Sequence, residues 1–336
     1  MTSKRKGRVT LADVAHAAGV SESTASRAFT RPELIKADNV DRIRRIAAEL
    51  GYSADPRARA LSTGRTSNIA LIVPDIANPF FPPLVRAVEN GAEQAEFAVF
   101  LGDSDERAER EGVLIDRLEP QVDGFILASS RLADERILEL AEHTPTVLIN
   151  RDVPGVRRVL VDAATGAREA VELLAAMGHS DIAYLAGPPA TWADAQRRGA
   201  VLAAAEAAGL SVSVLELGRP SYEAGRECVG SLIATGATAA VAFDDVVAHG
   251  VLAGFTLVGL EVPADFSVIG CDDVLAATTL PALTTIAGGS GASGAVALEA
   301  LLALIRGDAD DVDERTAIAG HLVHRASVAP VRSRHR

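Results

Sequence analysis

From Ile69 onward, short apolar runs recur between stretches of helical spacing: IALIVPD, FAVFLGD, VDGFILA, PTVLIN, RVLVD, DIAYLAG, SVLELG, TAAVAF and FSVIGCDD. Apolar runs of this length, separated by helices, are the pattern of βαβ units whose parallel strands are covered on both faces. Nine such strands are many for one open sheet, so the spacing predicts two stacked α/β lobes with a cleft between them. Apolar residues make up 48% of the chain and aromatics only 4%, which suits an Ala/Val/Leu-rich core and excludes a disordered chain.

The residues before Ile69 follow a different period. Thr10 can cap a first helix, with Asp13 three residues on as a variant of the capping box, and Leu11, Val14, Ala15 and Ala18 form its apolar face. Gly19 ends it, Ser21 caps a second helix over about 22–29, and Pro32 precedes a third over about 37–50. Helix, Gly-containing turn, helix is the helix-turn-helix pattern, here VTLADVAHAAGVSESTASRAFT. In the second helix Ala25, Ala28 and Phe29 pack inward, so Glu22, Ser23, Ser26 and Arg27 face outward near the end that enters a major groove. Arg27 can present two parallel donors to a guanine, while Ser21, Thr24 and Ser26 suit phosphates. Glu22 either accepts from a cytosine amino group or serves the helix N-terminus. With Thr10, these residues are the candidate DNA-contact set of the head. Periodicity alone leaves an ordinary three-helix domain open.

Charge separates the same two parts. The net charge is −12, yet residues 1–65 hold thirteen Lys/Arg against seven Asp/Glu. A basic head on an acidic body points to nucleic acid. Cys228 and Cys271 are too few for a disulfide framework and show no metal-ligand spacing, so they are expected to be buried thiols, and no cofactor is expected. No apolar leader and no run of roughly 18–20 apolar residues occurs, so a cytoplasmic protein without membrane contact is expected.

Residues 9–66 resemble the head of the lactose-repressor/galactose-repressor (LacI/GalR) family in VTLADVAHAAGVS, STASRAF and ELGYSADPRARALSTGRT. The likeness continues through VPDIANPFF, VDGFILA, VLINR, MGHSDIAYLAGP, VPADFSVIGCDD and PALTTI. It implies three parts: a helix-turn-helix domain over 1–55, a hinge helix and linker over 56–66, and a two-lobed body like periplasmic sugar-binding proteins over 67–330. It further implies that Leu61 is wedged into the central minor-groove step of an operator, with Arg57 and Arg59 on adjoining phosphates or groove. Asp55 stands where the family often carries Asn. The implied partners are double-stranded operator DNA, a small-molecule effector, and a second copy of the chain. After the last expected strand the tail is too short for the leucine heptads that make some members tetramers, so a homodimer is expected.

Ligands of such bodies lie near the C-terminal ends of the strands. The candidates there are Asn78, Phe80 and Phe81 after the first strand, Asp103 after the second, and Asn150 and Arg151 after the fourth. Trp192 and Arg197 open the helix after IAYLAGP, and Asp244 and Asp272 follow two later strands. Arg197 and Asp272 match family positions that hold an effector's polar groups. Because Gly199-Ala200-Val201 stands where Arg-Gly-Phe is common, Arg198 is a second candidate for that register. The carboxylates are equally the residue type that caps helices at strand–helix junctions. A sugar acting as inducer is the expected effector, with a nucleobase corepressor as the alternative. A solute-binding protein is disfavoured by the basic head and the missing leader. Gly289–Gly294 matches GxGxxG, the motif of a dehydrogenase, but no second strand with an acidic residue follows it, so it is expected to be a flexible entry to a helix over 294–306. No Ser/His/Asp or Cys/His set has nucleophile spacing, no enzyme is expected, and His179 is expected to be structural.

Overall fold

The computed structural model of the chain describes residues 9–52, 65–189, 191–308, 311 and 313–331. It divides into two units, Met1–Ser67 with Gln121–Asp123, and Asn68–Pro120 with Gly124–Arg336.

The first unit is built on α1 (Leu11–Ala18), α2 (Glu22–Thr30) and α3 (Ala37–Leu50). Thr10 and Asp13 form a reciprocal capping box: Asp13 N donates to Thr10 Oγ1 at 3.3 Å, and Thr10 N donates to Asp13 Oδ2 at 2.8 Å. Gly19 closes α1 at φ 62°, where a side chain is disfavoured. Val14, Ala15, Ala18, Ala25, Ala28, Ile43 and Ala47 make the core, and five of these seven are alanines, so three short helices approach closely.

The second unit holds two six-stranded sheets. The first contains β1 (Asn68–Val73), β2 (Ala98–Asp103), β3 (Phe125–Ala128), β4 (Thr146–Ile149), β5 (Arg157–Asp162) and β11 (Arg315–Ala319) in the order β2-β1-β3-β4-β5-β11, all parallel. The second contains β6 (Asp181–Ala186), β7 (Ser211–Glu216), β8 (Ala239–Ala242), β9 (Ser267–Cys271), β10 (Thr284–Ala287) and β12 (His321–Val323) in the order β12-β10-β9-β8-β6-β7, with only β12 antiparallel. All nine expected strands form. The inner strands β3, β4, β8 and β9 are buried at every residue, whereas the edge strands β2 and β7 are largely exposed. The additional strand β11 is half-exposed and β12 has three residues, so neither carries an apolar run.

In the first lobe, α4 (Phe81–Gln94) and α12 (Ser290–Arg306) pack on one face of the sheet through Leu84, Val88, Leu298 and Leu301. Helices α5 (Ala108–Leu118) and α6 (Asp134–His143) bury Ile115, Ile137 and Leu140. The second sheet is covered on one side by α7 (Ala164–Ala176) and α8 (Trp192–Ala208). On the other side lie α9 (Tyr222–Glu227), α10 (Val229–Ala234) and α11 (Asp245–Leu257). Cys228 and Cys271 are free and buried within this lobe. His179 is buried too, with Nδ1 2.8 Å from Thr238 Oγ1 and Nε2 3.2 Å from the Ala329 carbonyl, which fixes the end of the described chain to the lobe.

Among the described residues the chain passes between lobes three times: after β5, after β10, and between β11 and β12. The crossings touch one another. Gly320 N donates to Asp162 O at 2.7 Å, and a Cβ on Gly320 would lie 3.0 Å from Asp162 O and 3.1 Å from Ala287 O. A side chain there would press on the backbone of the first two crossings, so glycine lets the third lie against them.

The GxGxxG run corrects an expectation. Helix α12 begins at Ser290, so Gly291 and Gly294 are inside it rather than in a flexible entry. Gly294 passes over α4: a Cβ there would be 2.6 Å from the Leu84 carbonyl oxygen, so the glycine serves close helix–helix packing. At Gly291 the nearest atom to a Cβ would be Pro83 O at 3.6 Å. Gly294→Ala is therefore expected to cost ~1–3 kcal/mol, as overpacking does, and Gly291→Ala to stay within ~0.5 kcal/mol. Urea unfolding of the two variants checks this, and equal effects would contradict the close approach.

Candidate functional site

On the head, α2 presents Glu22, Ser23 and Arg27 to solvent, with Thr24 and Ser26 half-buried beside them. Ser21 caps the helix by accepting from Thr24 N at 3.2 Å, and its Oγ lies 2.9 Å from Ser23 Oγ and 2.8 Å from Thr24 Oγ1. Three hydroxyls thus cluster where the first N–H groups of the helix point outward, a setting that favours phosphate oxygens. Glu22 occupies the first turn, where a carboxylate complements the helix dipole. Thr10 is exposed, but its side chain is engaged by Asp13. Arg57, Arg59 and Leu61 lie outside the described residues.

On the body, each lobe has its topological switch beside the strand that opens it: β1 lies between β2 and β3, and β6 between β7 and β8. Ligands bind outside the carboxyl ends of strands at such points. The loops there meet around a cleft whose enclosed space is about 60 Å³, smaller than the ~300–1,000 Å³ of typical small-molecule sites.

From the second lobe come Arg197, Phe243, Asp244 and Asp272. Arg197, 6% exposed, donates from Nη2 to Asp272 Oδ1 at 2.8 Å and from Nη1 to the Phe243 carbonyl at 2.5 Å, with its guanidinium 4.8 Å from the Phe243 ring centre. Burial opposes the arginine's charge, but the Asp272 carboxylate outweighs it and holds the group firmly protonated. Asp244 caps α11 by accepting from Val247 N at 2.8 Å. Burial first, then the neighbouring Asp272 charge, push its carboxyl up to about 6. Asp245, behind it, is pushed up to about 8 by burial despite accepting from Thr285 Oγ1 at 2.6 Å.

From the first lobe come Asn78, Phe80, Phe81 and Asn150. Asn78 Oδ1 accepts from Phe80 N at 2.9 Å, which leaves the amide nitrogen to reach across the cleft to Asp244 Oδ2 at 3.3 Å. Asn150, at φ 53°, ties β4 to β5 by accepting from Val161 N at 2.9 Å. Phe80 and Phe81 stack edge to face with centroids 5.1 Å apart. A second bond across the cleft joins Arg219 to Asp105 at 3.0 Å.

Three candidates are placed away from this lining. Asp103 accepts from Ile76 N at 3.1 Å and Asp105 N at 2.8 Å, so its carboxylate braces the loops after β1 and β2. Arg151 turns to Leu132 O and Asp134. Trp192 opens α8, but Ala193 and Arg197 are the residues of that helix that line the cleft. The register of α8 is settled: Arg197 faces the cleft, and Arg198 pairs with Glu216 at 2.8 Å outside it. Sequence reasoning missed Asp75, Glu106, Ser129, Arg131 and Arg219. Ser129 follows β3 directly and Arg219 follows β7 by three residues, so applying the strand-end rule to every strand would have found both.

A helix-turn-helix head joined to a two-lobed body with a polar cleft at its strand ends defines the class of small-molecule-responsive transcription regulators. Two family models match: that of bacterial regulatory proteins, lacI family, over residues 10–55, and that of periplasmic binding protein-like domains over 171–328. The chain is 35% identical to the HTH-type transcriptional regulator GalS of Salmonella typhimurium over 287 residues, 83% of this chain and 84% of that one. It superposes with a TM-score of 0.84 and 26% identity on the lac repressor dimer bound to operator and the anti-inducer ONPF, covering 96% of this chain and 99% of that one. A regulator from Enterococcus faecium with bound ribose gives a TM-score of 0.71 and 27% identity over 79% of this chain and 100% of that one. The chain belongs to the LacI family of bacterial transcriptional regulators. Among the described residues no helix is long and apolar enough to cross a membrane.

The raised pKa of Asp244 has a measurable consequence. Its folded value, about 6, lies above the ordinary 3.8, so folding disfavours the charged form. The stability linked to this group is full at low pH and lost as pH rises through about 6. Asp244→Asn, which keeps a capping oxygen, is expected to stabilise the protein by roughly 2–3 kcal/mol near pH 8, with the gain shrinking toward zero near pH 4. Denaturant titrations at both pH values check this, and a gain independent of pH would contradict it.

Proposed function

We propose that this regulator is a cytoplasmic repressor that binds a palindromic operator as a homodimer and is released when a sugar-type effector bridges the two lobes. The observation that carries the reading is the meeting of Asn78 and Asp244, from opposite lobes, over a cleft floored by the buried Arg197–Asp272 pair. Carboxylates, amides and a guanidinium suit the hydroxyls of a sugar, and the Phe80 and Phe81 rings suit its apolar face. The ribose and lac repressor structures support the same occupant and the same DNA partner. Dimerisation is supported by large apolar side chains left in solvent: Leu280 is 97% exposed and Leu257 71%, with Val258, Leu275, Phe100 and Leu101 also outside the core. The relatives are regulators, and the same cleft serves binding without turnover.

The test begins with DNA selected by the protein itself from a random pool. The selected site is expected to be two-fold symmetric, and affinity to fall steeply between about 50 and 200 mM salt as phosphate counterions are released. Arg27→Ala should flatten base preference at one position in each half-site, at a cost of ~1–3 kcal/mol. For the cleft, Asn78→Ala is preferable to changing Arg197 or Asp272, because removing one member of a buried pair costs ~3–5 kcal/mol of stability by itself. The variant should need about tenfold more sugar for release, a loss of ~1.4 kcal/mol. An asymmetric or salt-indifferent site overturns the DNA reading, and an unchanged sugar response overturns the cleft reading.

A further inference from the structure

The cleft is lined by four carboxylates, Asp75, Glu106, Asp244 and Asp272, and three guanidinium groups. Each guanidinium already faces a carboxylate. Arg131 donates from Nε to Glu106 at 2.7 Å, Arg197 pairs with Asp272 at 2.8 Å, and Arg219 lies 3.0 Å from Asp105 and 3.6 Å from Asp75. A phosphate or carboxylate on a ligand would find no unspent cation among the described residues of the lining. It would also meet the field of Asp244.

Asp244 is the exception in the opposite sense. It is 2% exposed and forms no salt bridge among the described residues. Its two oxygens accept only from neutral donors, Val247 N at 2.8 Å and Asn78 Nδ2 at 3.3 Å. A carboxylate keeps further lone pairs after two such bonds. A buried anion with no cation of its own is costly, and a hydroxyl offered by a ligand leaves that charge uncompensated. An ammonium supplies both the charge and up to three donors, and charge-assisted bonds of this kind are about twice as strong as neutral ones.

We propose that the effector is an amino sugar without phosphate or carboxylate, its ammonium group held against Asp244. The proposal rests on the sugar reading of the cleft and narrows it to one charge class. The charged groups around Asp244 are Arg197 on α8, Asp272 after β9, and Asp245 beside it on α11; the first lobe offers it the uncharged Asn78. Arg197 is committed to Asp272, and Asp245 does not line the cleft, so neither supplies the missing cation. The upward shift of Asp244 to about 6 agrees with that shortage. Ammonium binding requires the ionised carboxylate, so affinity for the amine should weaken about tenfold between pH 7 and pH 5.

The experiment is calorimetric titration of the full chain, near neutral pH, with three matched series: glucosamine, glucose and glucose 6-phosphate, then the galactose and mannose equivalents. In at least one series the amine is expected to bind about tenfold or more tightly than the parent sugar, with the phosphate weakest. Acidification should erode that advantage, and Asp244→Asn should reduce it below about threefold and remove the pH slope. If the parent sugar or the phosphate is tightest in every series that binds, the proposal is overturned while the sugar reading stands. If Asp244→Asn leaves the amine's advantage intact, the assignment of the ammonium to Asp244 is overturned. If no member of any series binds, the sugar reading falls and the proposal with it.

Discussion

The ion pair between Arg197 and Asp272 is the interaction on which the cleft depends. Both side chains are buried, so each carries a desolvation cost of several kcal/mol that only good geometry offsets. The geometry is supplied from three directions. Arg197 is fixed on α8, the Phe243 carbonyl at the end of β8 takes one of its donors, and Asp272 reaches it from the end of β9. Asp272 adopts φ 108°, a backbone conformation that L side chains rarely take and that persists where surrounding contacts over-determine it. The product is a rigid polar floor. Asp244, beside that floor and without a cation of its own, is the one carboxylate of the second lobe's wall whose charge is left for another partner to meet.

That floor belongs to one lobe, and the proposed response lies in the relation between two. The three crossings after β5, after β10 and before β12 lie against one another at Gly320, so movement between the lobes is confined to one narrow bundle of chain. Across the cleft, Asn78 bonds to Asp244 and Arg219 to Asp105. A ligand that touches both walls competes with or reinforces those bonds. It shifts the lobes only by the difference in its affinity for the two arrangements.

Much of this was legible in the sequence because its signals are local. A capping threonine with aspartate three residues on, a glycine at the end of α1, and unbroken apolar runs for buried strands each act within one turn or one strand. The head's three helices and nine strands therefore appear where the pattern puts them. Legibility fails where a residue's surroundings come from distant sequence. Edge strand β11 has no apolar run because half of it meets water. The GxGxxG glycines read as a flexible entry to a helix, yet Gly294 is explained by Leu84, more than two hundred residues earlier. Asp103 and Arg151 stand at strand ends as cleft residues do, and only the folded loops show their side chains bracing backbone instead. That Arg131 and Arg219 line the cleft already neutralised is likewise a property of their partners, which the spacing of the arginines does not encode.

In the proposed function, the cleft and the DNA-binding head are two sites coupled through one lobe equilibrium. Thermodynamic linkage makes that claim testable without knowing the path of the coupling, because a ligand and an operator that oppose each other must do so by the same factor. The direct measurement is the affinity of the bound sugar for the free protein and for the protein saturated with operator, set beside the affinity of the operator with and without saturating sugar. The account predicts equal weakening in the two experiments, by a factor between about 5 and 150. Identical sugar affinity with and without operator would contradict it.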